Sequence, residues 1–88
     1  MTNYPDFETA CAKTTFFEIE SEYWKMVEHE NNCNLTFMDK IYTFFISKTL
    51  KRLIEKFNMD NNDERKSRFK HSMVFLLAIY SNILCTYE

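Results

Sequence analysis

Apolar positions recur at helical spacing along most of the chain. Phe69, Met73, Leu76, Tyr80, Ile83 and Tyr87 fall at steps of four, three, four, three and four, the seam of one helix face. Leu77 and Leu84 broaden that seam, yet the run from Met73 to Tyr80 is apolar without a break. Such a run asks for neighbours on more than one side, as a helix at the centre of a bundle receives. Phe75 and Ile79 point away from the seam and are the candidates for contact with a second copy of the chain.

Two earlier segments carry the same period. Over about 16–30, Phe16, Ile19, Tyr23, Met26 and Val27 share one stripe, with Glu18, Glu22, Lys25 and His29 opposite. Over about 37–57 the apolar face changes side: Phe37, Met38, Ile41, Phe44 and Phe45 lie together, but Ile46, Leu50, Leu53 and Phe57 do not follow them. At about 100° per residue the apolar centre moves by roughly 150° near Ser47. Either this helix kinks there, or its halves pack on different neighbours. Lys48, Lys51, Arg52 and Glu55 take over the face that is apolar in the first half. A short segment over about 5–13, opened by Pro5 and carrying Tyr4, Phe7 and Cys11, adds a fourth element.

Helix-start chemistry marks three boundaries. Thr15 precedes Glu18 by three residues, Thr36 precedes Asp39, and Asn61 precedes Glu64. The pattern predicts one domain over residues 1–88, an all-α compact three- or four-helix bundle whose long apolar C-terminal helix, 62–87, is central.

Composition narrows the alternatives. Glycine is absent and proline occurs once, which removes most of the turn chemistry an all-β fold needs. Asn31, Asn32 and Asn34, and then Asn58, Asn61 and Asn62, mark the loops, because asparagine tolerates left-handed backbone best among the other residues. A chain of 88 residues buries only about 60–65% of its unfolded surface, so its nine phenylalanines, five tyrosines and one tryptophan have to supply much of the core.

Charge is distributed unevenly. Residues 1–35 hold seven acids and two lysines, whereas residues 36–88 hold nine bases and six acids, giving halves of about −5 and +3. That asymmetry either helps the halves pack together or prepares the surface for a charged partner. Three widely spaced cysteines, Cys11, Cys33 and Cys85, match neither a disulfide framework nor a metal or redox motif. No apolar run approaches the length of a membrane span, and the start lacks a basic and apolar leader. A cytoplasmic protein that does not meet the membrane is expected.

Catalysis is not expected. The chain has two histidines, no glycine for a phosphate cradle and none of the nucleophile or metalloprotease motifs. No metal site and no cofactor are expected either. His29 and Cys33 are four apart, but the further ligands from Cys11, His71 or Cys85 lack zinc-site spacing, and His29 suits a helix C-terminus.

Two surfaces are candidates for recognition. Glu20 falls inside the apolar sector of the segment 16–30. The favoured reading sets it at the rim of the core, reaching water or a base from the other half. The sharper reading joins Phe17, Glu20, Trp24 and Glu28 as an acidic aromatic patch for a protein partner, since interfaces concentrate their energy in such aromatic anchors. The basic residues Lys48, Lys51, Arg52, Arg65 and Arg68 form the other candidate, for nucleic acid or an acidic partner, although interleaved acids favour a solvated charged face. The function expected is a small non-enzymatic protein-binding module, in one version a virus- or mobile-element-encoded inhibitor that covers a surface on a host macromolecular complex. The alternatives are nucleic-acid binding through the stretch 48–70 and a homodimer or larger homo-oligomeric structural subunit.

Overall fold

The structure is a computed structural model that describes residues 13–87. Among the described residues the chain is all-α: α1 spans Phe16–Asn31, α2 Phe37–Met59 and α3 Asp63–Cys85. The segment expected over 5–13, with Tyr4, Phe7 and Cys11, lies outside the described residues except for Lys13.

Each helix begins where a side chain takes up a backbone N–H that has no intrahelical acceptor. The Thr15 hydroxyl accepts from the Glu18 N–H at 3.2 Å, and that of Thr36 from the Asp39 N–H at 3.3 Å. The third cap is Asn62, one residue beyond the expected Asn61; its Oδ1 accepts from the Arg65 N–H at 3.0 Å. Asp60 sets this position. Its carboxylate accepts from the Asn62 N–H at 2.9 Å and from the Arg65 guanidinium, which lies 3.0 and 3.2 Å away. No described residue has positive φ, so the asparagines cap helices and shape turns instead of standing in for glycine in left-handed backbone. At the end of α1, for example, Asn32 is right-handed and its side chain donates to the Glu28 carbonyl at 3.1 Å.

Two aromatic contacts fix the helix directions. Phe16, at the start of α1, stacks on Phe57, near the end of α2, with ring centroids 4.4 Å apart. The Tyr80 hydroxyl, late in α3, donates to Glu30 at the end of α1. Hence α1 and α3 run the same way and α2 runs against them, with α3 packed on both. Ile19, Tyr23, Leu35, Leu50, Ile54, Met73, Tyr80 and Leu84 form the buried core. Full burial of each such side chain is worth about 1.5–3 kcal/mol. Leu35 reaches this core from the loop 32–36 and plugs the end of the α1–α2 pair.

The seam of α3 is inward as expected: Met73 and Tyr80 are wholly buried, and Phe69, Leu76 and Tyr87 pack against them. Phe75 is exposed and Ile79 half-buried. The helix is long, but the apolar character expected of it is confined to its later part, because residues 63–70 carry mixed charge.

Candidate functional site

The first half of α2 is turned inside out. Its inward positions are Asp39, half-buried, and Thr43, wholly buried, whereas Phe37, Phe44 and Phe45 stand outward at 76%, 53% and 62% exposure. The cause lies in α3, which supplies the bulk at this end. Tyr80 and Leu84 fill the core, and the Tyr87 hydroxyl donates to the Asp39 carboxylate while accepting from the Thr36 N–H at 3.2 Å. A small or polar side chain fits beneath them. Thr43 meets its own hydrogen-bonding need by donating to the Lys40 carbonyl at 3.2 Å.

The change of apolar face near Ser47 lies within one continuous helix, Phe37–Met59, and among the described residues the phenylalanines of its first half stay largely in solvent. Leu50 and Ile54 are buried, while the older face continues outward as charge. Phe37, Lys40, Ile41, Phe44 and Phe45 line a shallow, almost wholly apolar groove of about 510 Å³. The ammonium of Lys48 lies over the Phe44 ring, 5.1 Å from its centroid, and Lys51 and Arg52 extend the exposed stripe. This surface was not singled out from sequence. The shift of the apolar centre was its signal, but periodicity alone does not say which of two faces is covered.

The four residues of the acidic aromatic patch do come together. Phe17, Glu20, Ser21, Trp24, Lys25 and Glu28 line one open groove on α1 of about 440 Å³. Glu20 is half-buried, while Phe17 and Trp24 are 77% and 58% exposed. Trp24 is anchored from below, its ring meeting buried Tyr23 edge-on at 5.0 Å. Lys25 pairs at the surface with Glu22 at 3.5 Å, a contact worth at most about 1 kcal/mol.

The basic stretch separates into two parts. Lys48, Lys51 and Arg52 share the outer face of α2, whereas Arg65, in the first turn of α3, pairs with Asp60 of the α2–α3 turn, and Arg68 is exposed on α3. Hydrogen bonding to the Asn62 N–H, then the Arg65 guanidinium, holds the Asp60 carboxyl below the usual aspartate range. Lys66 covers the Phe57 ring at 4.9 Å.

Tyr80 and Glu30 form a part-buried polar pair, 2.6 Å apart. Burial first, and the Glu30 carboxylate second, hold the Tyr80 phenol far above the ordinary tyrosine range, so it remains a neutral donor. Tyr23 is shifted the same way by burial, then by Glu30 and Glu55. The Tyr80 hydroxyl ties α3 to α1. Among the described residues no helix is long and apolar enough to cross a membrane, and no three His, Cys, Asp or Glu side chains gather as a metal-ligand set. No protein-family model, curated protein or solved structure matches the chain.

Proposed function

We propose that this chain is a protein-binding module that acts by occupying a surface on a larger partner, without catalysis of its own. The observation that carries this reading is the inverted first half of α2, where a wholly buried threonine sits beside outward phenylalanines. Phe37, Phe44 and Phe45 with Met38 and Tyr42 expose on the order of 600 Å², taking roughly 200 Å² for each large side chain. That lies at the upper end of the largest apolar patches on monomers, which are often functional. Phe17 and Trp24 add a second aromatic surface on α1. Small size and an Asn-, Lys- and Phe-rich composition support a role as an inhibitor of a host complex, and unpaired thiols at Cys33 and Cys85 support a reducing, cytoplasmic setting.

The test is affinity capture from the native source with the wild-type chain, the double variant Phe44→Ser and Phe45→Ser, and Trp24→Ala. Captured proteins are then purified and rebound by calorimetry. Loss of binding by at least one variant at unchanged helix content supports the reading; identical capture by all three, or none by the wild type, contradicts it.

A second reading has one observation in its favour: Phe44 and Phe45 lie beside Lys48, Lys51 and Arg52, an arrangement that stacks bases and neutralises phosphates in single strands. Fluorescence anisotropy of a labelled oligonucleotide decides it. Affinity at low salt that falls steeply as salt rises supports nucleic acid, and its absence at low salt removes that reading.

A further inference from the structure

The two outward surfaces are written in the same register with opposite charge. On α1 the groove residues read Phe17, Glu20, Trp24 and Glu28; on α2 the outward residues read Phe37, Lys40, Phe44 and Lys48. The intervals are three, four and four in both. Each acid of the first set has a lysine at the matching place in the second, and each aromatic has an aromatic. Seven residues separate the two rings of each pair, about 10.5 Å along either helix axis.

We propose that the partner of each surface is a second copy of this chain: the α1 groove of one molecule docks, in parallel register, on the α2 stripe of another. Phe17 then lies beside Phe37 and Trp24 beside Phe44, while Glu20 faces Lys40 and Glu28 faces Lys48. This deepens the protein-binding reading and rests on it. Within one molecule the pairing is closed off, because α1 runs against α2 and both sets point away from the core they share. Between molecules both surfaces are open among the described residues. The uneven charge of the two halves of the sequence becomes the source of orientation, since acid-to-acid and lysine-to-lysine approaches are disfavoured. The contact is heterologous, one surface against a different one. Its four exposed rings offer on the order of 400–650 Å² in total, below the roughly 1,600 Å² of a standard interface, so the association is weak and concentration-dependent.

Charge exchange tests this directly. Four full-length chains are compared by sedimentation equilibrium across a wide concentration range, with circular dichroism to verify the fold: wild type, Glu20→Lys with Glu28→Lys, Lys40→Glu with Lys48→Glu, and the fourfold exchange. The wild type should associate, more weakly as salt rises. Each double variant alone should lose association by about tenfold or more, as expected when close charge pairs turn repulsive. The two double variants mixed in equal amounts should associate in alternation, through the wild-type contact and its charge-reversed counterpart, and the fourfold exchange should regain self-association. A wild type that stays monomeric at every concentration, a Glu20→Lys with Glu28→Lys chain that associates as the wild type does, or a fourfold exchange that stays monomeric overturns the proposal. A strictly monomeric wild type that still captures another protein through Phe44 and Phe45 would remove only the self-association, leaving the protein-binding reading in place.

Discussion

Thr43 is wholly buried, and the residue that follows it, Phe44, is 53% exposed. One step of about 100° around the helix separates a threonine in the core from a phenylalanine in solvent. The inversion is stable because the threonine hydroxyl bonds back to Lys40 and because α3, through Tyr80, Leu84 and Tyr87, fills the space that a large α2 side chain would otherwise take. The aromatic residues of this half-helix stay largely in solvent.

Tyr80→Phe removes the donor to Glu30 and leaves a carboxylate oxygen without that partner. The expected loss is about 1.5–3 kcal/mol of unfolding free energy, the range for hydrogen bonds to charged groups. Chemical denaturation at neutral pH measures it. The same tyrosine sets an alkaline limit. Its folded pKa is raised, so its contribution is complete below the unfolded value near 10 and is lost as pH climbs beyond that. Wild-type stability should therefore fall above about pH 10 more steeply than that of Tyr80→Phe.

Tyr87→Phe unlatches the end of α3 from the start of α2, where its hydroxyl meets Asp39 and the Thr36 N–H. Hydrogen exchange should accelerate in the first turn of α2 and the last turn of α3, with protection around Leu50 and Met73 unchanged. Equal acceleration throughout would mean that Tyr87 supports the whole bundle and not one end of it.

The residues differ in how much of this could be read in advance. Thr15 and Thr36 announced their helices because the hydroxyl and the acid three positions on leave one reading. Asn61 and Asn62 offered the same chemistry twice, and the choice fell to the Asp60 side chain, whose bond to the Asn62 N–H periodicity does not encode. The grouping of Phe17, Glu20, Trp24 and Glu28 along one groove was legible because Glu20 marked an anomaly on an otherwise regular stripe. The α2 surface was not, because residues 37–45 make as good an inward face as residues 46–57, and only the bulk of α3 decides between them.

Acid should loosen the α2–α3 turn. The Asp60 carboxyl is lowered by its bonds to the Asn62 N–H and Arg65, so its contribution is present above the unfolded value of about 3.9 and lost as pH falls through the lower folded value. A carbon-detected titration should place Asp60 below ordinary aspartates. In Asp60→Asn the dependence of stability on pH below about 4 should be shallower than in the wild type, because this group no longer gains a proton there.

The unfolding free energy of Phe44→Ser and of Phe45→Ser, measured at concentrations dilute enough to keep the chain monomeric, tests the inside-out half of α2 most directly. If these rings face solvent, each variant should lose no more than about 1 kcal/mol, the worth of an exposed cation–π contact such as that of Lys48 with Phe44. Leu50→Ala, at a wholly buried position on the same helix, should lose about 2–5 kcal/mol. A loss of about 3–5 kcal/mol in either serine variant, the cost of deleting a core phenylalanine, would contradict the outward placement and the docking surface built on it.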